Sequence, residues 1–415
     1  MTPTISKSQV ASTPVRLAQQ AASQRVALLT GGSDRPYAFG LAKALLSKGV
    51  GLDFIGSDDL DFPELRAHSG FNFLNLRGSQ TGTASLWRKV ARILRYYVRL
   101  VRYASSARPQ IFHVLWNNKF EFFDRTFLML YYKLLRKRVV LTAHNVNAGR
   151  RDATDSILNR VTLRVQYRLA DHIFVHTAKM RSELIRDFRI DNDRVTVIPF
   201  GINNAVPNTG LTAEQARQRL NICPGERTLL FFGHVVPYKG LEFLVAAFHR
   251  LAERAPDYRL IIAGQPGGQS GAYLADIQQA IDRHPSRQRV VQRTTFIPDE
   301  ETELFFKAAD LLVLPYTDVS QSGILVLGYS FGLPVVATDV GSLGEDIVEG
   351  RTGFLCKPSD PIDLVDAIER YFRSDLFTAP HRRHTIIREF ASQRFSWDVV
   401  GQVTSMAYSR LIASC

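Results

Sequence analysis

The segment GHVVPYKG at 233–240 sets Lys239 at the tip of a turn that follows the apolar run TLLFF and precedes a helix-forming stretch. A glycine-rich turn of this kind aims backbone N–H groups at a bound anion, and a lysine at its tip adds a point charge, so the chemistry on offer is phosphate binding. His234 can donate to the same phosphate when protonated; the competing reading is a histidine satisfied within a core. A second turn, Gly31-Gly32-Ser33, follows RVALLT, and its small residues let a backbone approach a ligand closely. His144, with Asn145, closes the run VVLTAH, and open α/β sheets bind ligands beyond the carboxyl ends of their strands. Ser320-Gln321-Ser322-Gly323-Ile324 offers N–H groups at a helix start together with hydroxyl and amide side chains. His113, His172 and His176 sit inside apolar runs and read as structural.

These residues need strands that end at them. Short apolar runs predict strands at 25–30, 50–56, 111–116, 139–144, 172–177 and 195–201, with a helix over Tyr37–Lys48 closed by Gly49. After the Pro, Gly and Asn-rich stretch PFGINNAVPNTGLT the alternation restarts. Strands TLLFFGHV, YRLIIAGQ, RVVQRT, LLVLPY and PVVATD are then separated by helices over Leu241–Ala255 and near 272–284, 300–309 and 322–331. Such alternation predicts parallel sheets with crossover helices, an α/β chain of two doubly wound, Rossmann-like domains. The expected boundaries are a disordered tail at 1–22, a first domain at 23–205, a linker at 206–225, a second domain at 226–390, and a C-terminal helix over 391–415 that packs back on the first domain.

Composition narrows the partners. The chain has 415 residues, 45% of them hydrophobic, enough for two cores. Its three cysteines, Cys223, Cys356 and Cys415, are widely spaced, which indicates neither a disulfide framework nor a zinc site and fits a reducing cytosol. No run reaches the roughly 20 apolar residues of a membrane span. Asp58, Asp59 and Asp61 read as a solvated acidic loop, so no metal and no bound cofactor are expected.

The formal charge of +13 lies wholly in the first half, where residues 1–200 carry 31 Lys and Arg against 15 Asp and Glu. Residues 77–138 alone carry 14 basic side chains against Glu121 and Asp124. Within LWRKVARILRYYVRLVRY, Arg88, Arg92, Arg95, Arg99 and Arg102 recur at helical spacing beside an apolar stripe of Val90, Ile93, Leu94, Tyr97 and Val101. With Trp87 and neighbouring tyrosines, this reads as an amphipathic helix for an anionic membrane surface. Cations and aromatics do not alternate as in a nucleic-acid module, so no nucleic acid is expected. The expected location is cytoplasmic, peripheral on the cytoplasmic face of a membrane.

The landmarks GGSDR, TAHN at 142–145, VIPFGIN at 197–203, GHVVPYKG and the region Gly323–Phe354 together resemble a family-4 glycosyltransferase of the GT-B fold over nearly the whole chain. That resemblance implies two Rossmann-like domains facing across a cleft, a nucleotide-diphosphate sugar as substrate, and transfer with retention to a saccharide or lipid-linked saccharide acceptor in polysaccharide or glycolipid synthesis. It assigns catalytic roles to His144 and Lys239. Donor contacts fall to Gly31, Gly32, Gly233, His234, Lys239, Gln321, Ser322, Gly323, Ile324 and Glu345, and acceptor-side contacts to Ser33, Arg35 and Asn145. The chain departs from the family where an arginine is usual, at His234, and where two glutamates are usual, at Val319 and Leu327. Gln321 and Ser322 as substitutes, Glu345 or Asp346 reaching in, and loss of catalysis are the three explanations; the first is favoured. The alternative function is a non-catalytic GT-B scaffold or regulatory nucleotide-binding protein.

Overall fold

The computed structural model describes residues 24–413 except 33, 81–85, 153, 203–205 and 269, so the tail 1–22, Ser33 and Cys415 lie outside the described residues. The chain divides into two compact units: residues up to Gly201 together with those from Trp397 onward, and Ile202–Ser396.

The first unit is built on seven parallel strands: β1 (Arg25–Leu29), β2 (Gly51–Gly56), β3 (Phe71–Asn75), β4 (Ile111–Val114), β5 (Arg138–Thr142), β6 (His172–Val175) and β7 (Val195–Val197). Their order is β3-β2-β1-β4-β5-β6-β7. Central strands such as IFHV and HIFV are buried along their whole length, because crossover helices cover both faces of a parallel sheet. Edge strand β3 was not anticipated; its two asparagines and its half-exposed pattern mask the apolar run.

The second unit holds six parallel strands: β8 (Arg227–Phe232), β9 (Tyr258–Ala263), β10 (Val290–Arg293), β11 (Leu311–Leu314), β12 (Val335–Thr338) and β13 (Gly353–Cys356). They run in the order β10-β9-β8-β11-β12-β13. Strand order thus reverses between β1 and β4 in one unit and between β8 and β11 in the other. Chains leaving these neighbours diverge, which opens a crevice at their carboxyl ends. Gly31 and Trp116 lie at the first such point, Gly233 and Pro315 at the second.

Two boundaries and one helix face differ from the sequence reading. The stretch 206–225 is not a free linker: Thr212 and Gln215 form a capping box on the helix Ala213–Arg219, and Arg217 pairs with Asp310 at 2.7 Å inside the second unit. Two separate helices replace the single one expected over 391–415: Pro380–Arg394 in the second unit, and Trp397–Ala413 in the first. The latter packs on the helix Arg35–Ser47, with the Trp397 indole filling the space a side chain on Gly40 or Gly201 would need.

The third difference concerns the basic helix, Leu86–Ser106. Tyr96, Tyr97, Leu100 and Ala104 face the core, whereas Val90, Leu94 and Val98 of the apolar residues point outward. Tyrosines at helical spacing outcompete the aliphatics because Tyr96, Tyr97 and Tyr103 reach Asn118, Asp124 and Asp53 with their hydroxyls while burying their rings.

Candidate functional site

In the second unit the turn after β8 is bound to the turn after β11. Thr317 N–H donates to the Tyr238 carbonyl at 2.8 Å, and a Cβ on Gly240 would lie 2.1 Å from the Pro315 carbonyl oxygen. Gly240, at φ 63°, turns the chain into the helix Leu241–Arg254. Only glycine combines that left-handed conformation with so close a backbone approach.

Lys239 is 8% exposed, with Nζ 5.6 Å above the centre of the Tyr316 ring. Gly233, at φ 106°, makes room for it: a Cβ there would stand 2.8 Å from Lys239 Nζ and 3.6 Å from Ile324 Cδ1. The structure therefore brings Gly233, Lys239 and Ile324 together, and Tyr316, which no sequence signal marked, floors the lysine. Ser322 Oγ caps the helix Gly323–Ser330 by accepting from Leu325 N–H at 3.3 Å. The neighbouring Gln321 Oε1 is buried and meets no donor among the described residues. A buried acceptor without a partner costs on the order of 1–3 kcal/mol, which a ligand donor would recover.

His234 is exposed, so the core reading of it does not hold. Desolvation and the nearby Lys239 charge push its pKa down, which makes it a neutral neighbour of the lysine until an anion arrives. Val319 and Leu327 are both buried, and Gly341 packs against the Val319 carbonyl. A carboxylate at either position would be desolvated. Glu345 is exposed in a turn after β12 that Arg394 holds, donating to the Glu345 carbonyl at 2.9 Å and to the Asp346 carboxylate at 2.8 Å.

The site of the first unit is neutral and aromatic. His144 follows β5 and stacks on Trp116 with ring centres 4.2 Å apart and planes 3° from parallel; Tyr37 meets it edge-on at 4.7 Å. The hydrogen-bond network assigns the tautomers. His176 Nδ1 lies 3.3 Å from the Ile198 carbonyl, which only accepts, so Nδ1 carries the proton and Nε2 is a bare lone pair. His144 Nδ1 then donates to His176 Nε2 at 3.1 Å. That leaves His144 Nε2 as an acceptor, buried and unpartnered among the described residues. Burial, with His176 and His113 nearby, pushes the His144 pKa well below the usual imidazole range. The ring is thus fixed as a neutral hydroxyl acceptor.

His176 thus sits in the fold as the partner that fixes the His144 ring. Its relation to His144 was invisible in sequence because the two follow separate strands, β5 and β6. His113 does act structurally, held between Tyr408 Oη at 2.5 Å and Thr142 Oγ1 at 2.7 Å. His172 bonds Thr196 Oγ1 at 3.0 Å.

Gly31 and Gly32 form the left-handed turn after β1, at φ 63° and 75°. A Cβ on Gly31 would meet the Trp116 carbonyl oxygen at 2.5 Å; one on Gly32 would overlap the guanidinium of Arg77, which donates to the Gly31 carbonyl. Arg35 is exposed and lies over the Phe62 ring at 5.3 Å, and Asn145 is half-buried at the end of β5. Asp58 and Asp61 are engaged by Asn75 and Arg66.

On the surface of the same unit, Trp87 is 83% exposed and Arg88, Arg95, Arg99 and Arg102 are exposed. Arg92 is half-buried and donates to the Ser79 carbonyl at 2.7 Å. Arg95, Arg99 and Arg102 line an open groove of about 540 Å3 with Asn75, Leu76 and Val98. No helix among the described residues is long and apolar enough to cross a membrane.

Comparison with known proteins agrees with this architecture. The family model described as Glycosyltransferase Family 4 matches residues 31–206, and that described as Glycosyl transferases group 1 matches 226–374. D-inositol 3-phosphate glycosyltransferase 2 of Catenulispora acidiphila is 30% identical over 253 residues, 59% of this chain and 57% of that protein. The D-inositol 3-phosphate glycosyltransferase of Corynebacterium diphtheriae is 30% identical over 250 residues, 57% of each. The chain thus spans just over half the length of these curated relatives. Among solved structures, sucrose-phosphate synthase from Thermosynechococcus elongatus superposes with a TM-score of 0.71 at 19% identity, covering 94% of this chain and 100% of that one. HepE of Anabaena, solved with UDP and glucose, gives 0.72 at 18% identity, covering 93% and 100%. The two parallel sheets, the paired glycine turns at their switch points and these matches lead to one assignment: the chain belongs to the family-4 glycosyltransferases and has the GT-B fold.

Proposed function

We propose that this chain transfers a glycosyl group from a nucleoside-diphosphate sugar to a saccharide or lipid-linked saccharide acceptor, with retention, in polysaccharide or glycolipid synthesis. The observation that carries this is Lys239, a buried cation held against a glycine turn at the switch point of the second unit. As the bond between the anomeric carbon and the leaving phosphate oxygen breaks, negative charge grows on the diphosphate, and a fixed cation in a desolvated turn stabilises it. A phosphate oxygen of the leaving group takes the proton of the attacking hydroxyl, so no protein nucleophile is required. His144 Nε2 orients a substrate hydroxyl by accepting its proton in a hydrogen bond. No metal or cofactor is invoked. Gln321 Oε1 and Ser322 stand in for the usual carboxylates, Gln321 accepting from a ribose or sugar hydroxyl.

The structural neighbour solved with UDP supports uridine as the first base to test. Calorimetry with UDP, GDP and ADP should show binding of one of them, and Lys239→Ala should abolish transfer while the circular dichroism spectrum is unchanged. Full activity in that variant would sink the assignment. A second reading, nucleotide binding without transfer, draws on the buried apolar Val319 and Leu327. It predicts tight nucleotide binding and no turnover with any donor.

We also propose that the enzyme works on the cytoplasmic face of an anionic membrane. Thirteen of the nineteen large apolar side chains left exposed among the described residues lie between Trp87 and Val161, including Leu94, Val98, Phe120, Phe122 and Phe127. Rings and aliphatics facing water beside clustered arginines suit insertion below phosphate headgroups. Each arginine near such a surface contributes about 1 kcal/mol, so reversing Arg92, Arg95 and Arg99 to Glu should weaken binding to phosphatidylserine vesicles by at least ~100-fold. Unchanged cosedimentation would refute it.

A further inference from the structure

The second unit has another concave site, at the opposite end of its sheet from Lys239. A pocket of about 1100 Å3 opens where β8, β11 and β12 begin, and Pro224, Ala309 and Phe331 from the segments entering those strands line it. The helices Ala213–Arg219 and Asp299–Ala308 form further walls, with the helix Pro380–Arg394, which presents His381, His384 and Arg388 at spacings of three and four. The lining holds four permanent cations, Arg217, Lys307, Arg383 and Arg388, against the carboxylates of Glu214 and Asp310.

Pairing does not cancel the excess. Arg217 binds Asp310 at 2.7 Å, and Lys307 binds Glu303 at 2.9 Å. Arg383 and Arg388 make no ion pair among the described residues. Arg383 is only 7% exposed, and its guanidinium is met by two neutral groups, the Tyr371 hydroxyl at 2.8 Å and the Leu376 carbonyl at 3.2 Å. Its Nε hydrogen meets no acceptor among the described residues. A buried guanidinium without a carboxylate is strongly disfavoured unless an anion completes it. Guanidinium groups match phosphate oxygens in geometry, and the His381 imidazole on the same helix face can add a donor; burial and the Arg383 charge push the His384 pKa down, and an arriving anion would favour recharging it. Leu211, Ile222, Phe306 and Phe331 give the pocket apolar walls, which suits a phosphate on an organic body.

We infer that this pocket binds a phosphorylated small molecule, with Arg383 and Arg388 as its anchors, at a site separate from the donor turn. Its occupancy also bears on the fold. The helix that carries Arg383 and Arg388 packs against the helix Gly323–Ser330, and its last residue, Arg394, holds Asp346.

The site can be tested apart from the donor reading by titrating inorganic pyrophosphate into the full chain saturated with UDP. One further equivalent should bind. The double variant His384→Gln, Arg388→Gln, at two exposed positions that leave buried Arg383 in place, should weaken that binding at least tenfold with UDP affinity unchanged. Absence of the further equivalent, or its persistence at full affinity in the double variant, overturns the inference. Should UDP itself fail to bind, the donor reading falls, and pyrophosphate binding that responds to the double variant still decides the pocket.

Discussion

The two sheets end in glycine turns of the same topology and opposite electrostatics. After β8, Gly233 and Gly240 make room for a buried ammonium above a tyrosine ring. After β1, Gly31 and Gly32 border a cage of Trp116, Tyr37 and His144 in which the imidazole is held neutral. One switch point presents a buried cation and the other a neutral aromatic cluster. The topology supplies the crevice, and the side chains gathered around it, Lys239 and Tyr316 in one unit and Tyr37, Trp116 and His144 in the other, give each its character.

The largest test of this contrast is Lys239→Ala. Removal of one preorganised charge donor from a transition-state site typically costs ~100–1000-fold in kcat, and a loss below tenfold would show that the two turns do not differ as described. A glycine pair sharpens it. Gly31→Ala drives a methyl group into the Trp116 carbonyl, which is backbone, whereas Gly233→Ala crowds the end of a side chain, Lys239 Nζ, and otherwise meets Ile324 at ordinary contact distance. Both pay for a left-handed alanine, about 1 kcal/mol or more. Thermal melts should therefore show Gly31→Ala as much the less stable, while Gly233→Ala keeps most of its stability and loses activity. The reverse order would contradict the geometry.

His176→Phe probes the neutral side. Without the bare Nε2 as partner, His144 should no longer be fixed as the Nδ1–H tautomer, and kcat should fall about 10-fold with little change in fold. The ring 15N shifts of His144 report the tautomer directly; an unaltered Nδ1–H signature would remove His176 from its positioning role. The smallest effect is on stability. Burial pushes His113 to about 3 and both His172 and His176 to about 4, below the unfolded value near 6.5. The unfolded chain then binds more protons in this window, so the stabilisation is complete above pH 6.5 and is lost as pH falls toward 4. Hydrogen-exchange protection factors, which correct for the slower intrinsic exchange in acid, should fall further over that range in the first unit than in the second, where burial lowers His249 to about 4 and also lowers His234 and His384; an equal or greater fall in the second would argue against the difference.

Much of this was legible beforehand, for reasons that can be named. Buried parallel strands read as short apolar runs, so β1, β4, β5, β8 and β11 and the turns after them could be placed, along with Lys239 and His144. Residues that meet only through the fold could not. Trp116, Tyr37 and His176 gather around His144 from separate elements, and Tyr316 reaches Lys239 across a switch point. The basic helix misled because its aliphatic and tyrosine faces are both apolar, and only partners such as Asp53 and Asp124 decide which turns inward. The capped helix at Ala213–Arg219 was hidden by the Pro and Gly around it.

The return of the chain at Trp397 has a consequence for synthesis. The helix Trp397–Ala413 covers the helix Arg35–Ser47, sets its Gly401 against Ala44, and supplies the Tyr408 hydroxyl to buried His113. At about 5–20 residues per second, Gly201 is added to the chain roughly 10–40 s before Trp397. During that interval the outer face of the helix Arg35–Ser47 lacks its cover and His113 lacks the Tyr408 hydroxyl, while Ile202–Ser396 is being translated. The unit that is synthesised first is thus the last to close.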